Sequence, residues 1–173
     1  MGEENFEDLG YLAGLDFTFK IIDAIDELIK SDKSGGYSAP MPLLLLIATA
    51  YSYILADRIA FVNLGAEART EFAKGLQGSL MLNINKHVFS EQMEFDRLYD
   101  MFLKYVQDLG PFSRRVAPDS GEEERGTLVF ETALLVLSKN ETQSGKLSDV
   151  MRILIALSKA IYGNAVVNRL KNT

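Results

Sequence analysis

The chain has 173 residues, of which 47% are hydrophobic and 24% charged, so it is long enough for one core, short for two, and too apolar for disorder. Its 18 Lys plus Arg stand against 24 Asp plus Glu, a net charge of -6, which argues against a broad phosphate-binding surface. Cys is absent, which excludes a disulfide framework, a thiolate metal site and a Cys nucleophile.

The first segment, up to Lys30, carries Leu15, Ile22, Ile25, Leu28 and Ile29 on one face and Asp16, Lys20, Asp23 and Glu27 on another. That spacing predicts an amphipathic helix with its apolar side in the core. Gly10 and Gly14 weaken its beginning, so residues 1–10 are expected to fray or to form a separate turn, and Gly35-Gly36 with Pro40 and Pro42 mark a mobile loop over 31–41.

Pro42 suits the first turn of a second helix, which runs to about Asn63 ahead of Gly65. No charged side chain occurs between Lys33 and Asp57, so this is the membrane candidate of the chain. A spanning helix needs about 20 apolar residues. Leu43 to Ala56 is shorter, carries Thr49, Ser52 and two tyrosines, and runs into Asp57-Arg58, which favours a buried central helix.

A third helix is expected over Ala66 to Phe89, with the stripe Phe72, Leu76, Leu80 and Ile84. Gly75 and Gly78 each oppose helix by about 1 kcal/mol, so they either loosen it or admit a close neighbour. The fourth helix, capped by Ser90, follows the i, i+3, i+4, i+7 rule through Phe95, Leu98, Tyr99, Phe102, Val106 and Leu109. Gly110-Pro111 then opens a second mobile loop to residue 120, and Ser120 to Glu123 has capping-box spacing for a fifth helix reaching Lys139. Its stretch Leu128 to Leu137 is apolar nearly all round, so it too is expected to be central.

A last helix over Lys146 to Leu170 carries an apolar arc wider than one neighbour would cover, which makes Met151, Leu154, Leu157, Ile161 and Val166 candidates for a homomeric interface. The whole reads as a single-domain, all-α bundle of five to six helices with two nearly all-apolar central helices. Acid and base are unevenly spread. Residues 1–32 hold nine acidic and two basic side chains and residues 139–173 hold two acidic and six basic, so the first and last helices are expected to be neighbours or to carry complementary faces.

Catalytic constellations are scarce. His87 is the sole histidine; no Glu-x-x-His pair, Gly-x-Ser-x-Gly elbow or phosphate-cradling Gly-Lys-Ser/Thr ending occurs, and no metal or cofactor is expected. Glu131 stands out because a carboxylate among Val129, Phe130, Leu134 and Leu135 is costly to bury unpaired. Asp57, Arg58, Glu131, Tyr53 and Tyr99 are the candidate lining of an interhelical ligand pocket, and the Arg114-Arg115 pair is a candidate anion site.

The leading expectation is a non-enzymatic interaction or assembly subunit that self-associates, because two all-apolar helices and a wide arc need burial. The alternatives are a small-ligand binder or enzyme with an interhelical pocket, and an accessory subunit of a nucleoprotein complex. Direct nucleic-acid and membrane contact are both disfavoured. The acidic stretch Met1 to Asp8, where a secretory signal would be basic and then apolar, together with the absence of Cys, leads to an expected cytoplasmic location.

Overall fold

A computed structural model describes residues 5–31, 42–87, 94–113, 128–129, 132–134 and 147–172. The fold is all-α: helices α1 (Phe6–Ser31), α2 (Pro42–Asn63), α3 (Ala66–His87), α4 (Phe95–Ser113), α5 (Leu147–Gly163) and α6 (Ala165–Leu170) account for most of the described chain, and no strand occurs among the described residues. Residues 128, 129 and 132–134 are also helical, as expected for the fifth helix of the sequence, and Leu128, Val129, Thr132 and Ala133 are buried.

Helix α2 is central. It packs against α1, α3, α4, α5 and α6, which explains why its sequence is apolar on every side. Leu44–Asn63 is the one stretch among the described residues long and apolar enough to cross a membrane, and 72% of it is buried by the other helices. Its internal hydroxyls are satisfied locally: Thr49 Oγ1 donates to the Leu45 carbonyl at 2.7 Å and Ser52 Oγ to the Ala48 carbonyl at 2.9 Å.

Helices α1 and α3 run parallel, as the pairs Glu7–Lys74 and Phe19–His87 show, and they approach through glycine. A Cβ built on Gly10 would lie 2.1 Å from the Phe72 carbonyl oxygen, one on Gly14 2.8 Å from that of Leu76, and one on Gly75 1.9 Å from that of Glu7. These three glycines therefore hold the two backbones in contact, where any side chain would force them apart. Around Gly78 there is open space.

Residues 1–4 lie outside the described residues, and over Phe6 to Gly10 the chain is helical where fraying or a separate turn was expected. The described chain is helical from Phe6, Asn5 Oδ1 accepts from Asp8 N at 3.1 Å in the manner of a cap, and Leu9 and Gly10 are buried. The core stripe of α1 also differs from the expected one: it is Leu9, Ala13, Phe17, Ile21, Ile25 and Leu28, whereas Leu15 and Ile22 are only half-buried. On α3 the expected stripe of Phe72, Leu76, Leu80 and Ile84 is fully buried.

Helix α4 continues through Gly110 and Pro111 to Ser113, past the expected break, because a proline in a last turn displaces a single hydrogen bond. Its Leu98, Phe102, Tyr105 and Leu109 are buried, but Phe95 is 45% exposed. The expected last helix is two. Asn164 breaks it with extended backbone (φ -65°, ψ 134°), and its Oδ1 accepts from Val166 N at 2.9 Å and Val167 N at 3.1 Å to start α6. The Asn164 amide also donates to Asp16 Oδ2 on α1 at 2.8 Å, so the first and last helices are neighbours. The remainder of the two expected loops, residues 32–41 and 114–120, the Ser90 cap and the Ser120 capping box lie outside the described residues.

Candidate functional site

Tyr53 and Asp57 are one turn apart on α2 and so share a face, which looks onto α3 and α4. There they border a cleft of about 560 Å³, completed from α3 by Arg69, Ala73, Gln77 and Met81 and from α4 by Phe95 and Tyr99. The polar groups are held in place. Arg69 Nε donates to Asp57 Oδ1 at 3.0 Å and Nη2 to Oδ2 at 2.7 Å, a two-pronged pair that uses both carboxylate oxygens. Donating this hydrogen bond to Asp57 raises the Arg69 pKa above its already high value, so the guanidinium is a fixed cation.

Across the cleft, Gln77 Nε2 donates to the Tyr99 hydroxyl at 2.7 Å, which leaves the Tyr99 proton free to point elsewhere. Phe95 stacks on Tyr99 with ring centroids 6.3 Å apart and planes 14° from parallel. Tyr53 meets Phe102 edge-on at 5.5 Å. Burial, and after it the negative charge of Asp57, push the Tyr53 phenol up to about 12, so it is a proton donor in hydrogen bonds and not a base at neutral pH. No hydrogen bond joins its hydroxyl to another described residue.

A second cleft of about 430 Å³ shares Tyr53, Asp57 and Arg69 and extends to Arg58, Phe61, Val106 and Gly110. Phe61 is 51% exposed, and the guanidinium carbons of Arg58 and Arg69 lie 5.0 Å and 4.9 Å from its ring centroid.

The structure thus brings together Tyr53, Asp57 and Tyr99, and sets Arg58 beside the adjoining cleft. Glu131, Arg114 and Arg115 lie outside the described residues. The sequence pattern did not single out Arg69, Gln77 or Met81. A signal for Arg69 existed: Asp57 and Arg69 are equidistant from Asn63, so a hairpin of α2 and α3 folding there sets them opposite each other.

Three of the five residues expected at a homomeric interface lie in the core. Leu154, Leu157 and Ile161 are at most 2% exposed, because α5 packs on α1 and α2 and spends its apolar arc inside the chain; Met151 and Val166 are half-buried. Tyr51 on α2 is tied to this seam by a 2.5 Å hydrogen bond with Ser158, whose own proton goes to the Leu154 carbonyl at 2.8 Å, so Tyr51 is the donor. No known family, curated protein or solved structure matches the chain.

Proposed function

We propose that the chain is a small-ligand-binding helical protein whose site is the cleft between α2, α3 and α4. The observation that carries this reading is the convergence of Tyr53, the Asp57–Arg69 pair and the Gln77–Tyr99 pair on one apolar-floored cleft. Its volume falls in the range of about 300 to 1,000 Å³ usual for small-molecule sites. The ion pair is neutral as a unit, and the two phenols offer protons, so the fitting ligand is small, carries a hydrogen-bond acceptor and presents a flat apolar part to Phe95 and Tyr99. Asp57 is occupied by Arg69 and the Tyr53 phenol is held protonated, which favours binding over proton transfer.

The test is a nuclear magnetic resonance screen of flat aromatic carbonyl and carboxylate fragments against the labelled protein. Shifts clustered at Tyr53, Gln77, Phe95 and Tyr99, lost in Gly78→Leu, support the reading, since Gly78 lines the cleft and has room for a side chain. A screen with no such cluster, or one unchanged by Gly78→Leu, overturns it.

A second reading, a protein interaction module, is favoured by a separate observation: Tyr11, Leu12, Phe19 and Leu82 are 43%, 54%, 46% and 52% exposed on the two glycine-coupled helices.

A further inference from the structure

On α1, Gly10 and Gly14 meet α3 while Ala13, Phe17 and Ile21 enter the core. Helical spacing then leaves Leu12, Leu15, Phe19 and Ile22 as a second apolar stripe that points away from the core, with Tyr11 beside it at the α3 crossing. On α3, Gly75 and Ser79 meet α1, and Leu76, Leu80 and Ile84 enter the core, which leaves Leu82 outside. Because the two helices are parallel, their outward flanks form one continuous surface.

The charges on that surface are mostly of one sign. Asp8 and Asp26 extend the Leu12 stripe at its two ends, one helical repeat beyond the apolar residues; Asp23 lies alongside; Glu71 is on the outward side of α3. All four are exposed; the bases on the same surface are fewer, Lys30 one turn beyond Asp26 and Lys86 one turn beyond Leu82, so acid still predominates. Lys74 is already paired with Glu7 at 2.9 Å. An apolar stripe with acid at both ends is complementary to a helix with apolar residues on one face and basic residues flanking them. A second copy of this face would set acid against acid at the same ends, so the charge pattern selects against it.

We propose that the outer face of α1 and α3 is a docking surface for a basic amphipathic helix of a partner protein, with Leu12, Phe19 and Leu82 as the apolar anchors and Asp8, Asp23 and Asp26 as the charged rim. The three contact glycines make this surface a preformed platform, because the spacing of its two helices is fixed by backbone contact.

The test uses a fluorescent synthetic helix of leucine and lysine, about 14 residues long so that its rise of about 1.5 Å per residue covers the stripe. A control peptide keeps the lysines and has alanine in place of leucine. The leucine peptide binds the wild-type chain about tenfold or more tighter than the control, and the Leu12→Gln/Phe19→Gln double variant loses that difference. Both positions are exposed, so circular dichroism of the variant matches wild type. Asp23→Asn/Asp26→Asn weakens binding and flattens its dependence on salt. Equal binding of the leucine peptide to wild type and the Leu12→Gln/Phe19→Gln variant overturns the proposal. So does a wild-type dimer in light scattering that the same variant converts to monomer, since the occupant is then a second copy.

Discussion

The carbonyl oxygen of Glu7 stands against the α-carbon of Gly75 so closely that a methyl group there would lie 1.9 Å from it. Nothing flexible lines that contact, because the opposing atoms are the backbone of α1 itself. Gly75→Ala is therefore expected to destabilise the fold by about 2 to 3 kcal/mol, the upper part of the range for overpacking, in chemical denaturation. Gly78→Ala is the internal control, since it meets open space and gains helix propensity, with an expected stabilisation of about 0.5 to 1 kcal/mol. Equal effects of the two substitutions would remove the close crossing from the account of stability.

Much of the architecture was readable from periodicity. The stripe of α3 and the all-round apolarity of α2 each follow from what a helix must bury, and both appear where expected. Helix α1 misled because it carries two apolar stripes, and spacing alone does not say which one meets the core; Gly10 and Gly14 decide it, by allowing α3 to come in beside them. The same glycines, read one residue at a time, count only as poor helix formers. The break at Asn164 was hidden by apolar spacing that continues across it, although Gly163-Asn164 is a helix-end signal. The smaller part of the cleft was legible, as Tyr53, Asp57 and Tyr99, because polar and aromatic residues stand out on an apolar helix; Arg69 and Gln77 look like ordinary surface residues until the hairpin closes.

Asn164 does two jobs with one side chain, capping α6 through Oδ1 and reaching Asp16 through Nδ2. Asn164→Ala loses both and is expected to cost about 1 to 2 kcal/mol, in line with loss of a helix cap. Asn164→Asp keeps the cap acceptor but places a second carboxylate against Asp16. Its deficit is expected to shrink as salt screens that repulsion, measured as the denaturation midpoint at low and high ionic strength.

Alkaline pH is expected to loosen the seam between α2 and α5. Burial pushes Tyr51 up to about 12, with the hydrogen bond to Ser158 acting in the opposite direction and not overcoming it. The unfolded phenol titrates near its ordinary value of about 10. A folded pKa above the unfolded one means stability that is complete below about pH 10 and is lost as pH rises toward 12, because the unfolded chain releases its proton first. Tyr53 adds to the same slope. Denaturation midpoints of wild type are expected to fall across this window, and Tyr51→Phe to fall less steeply while starting about 1 kcal/mol lower at neutral pH for the lost hydrogen bond.

The Asp57–Arg69 pair sets the electrostatics of the candidate site, and Tyr53 reports on it. The carboxylate disfavours a tyrosinate next to it and the guanidinium favours one, so the two charges act on Tyr53 with opposite sign. Asp57→Asn is expected to lower the Tyr53 titration midpoint, and Arg69→Gln to raise it, in ultraviolet absorbance referenced to Tyr53→Phe. Desolvation is the largest cause of the raised value, so neither substitution restores an ordinary phenol. In a double-mutant cycle the pair is expected to couple by about 1 kcal/mol and to weaken in high salt, because the Arg69 side chain is 38% exposed and solvent screens it. A Tyr53 midpoint that moves in the same direction in both variants would mean that packing around α2, and not charge, governs the site.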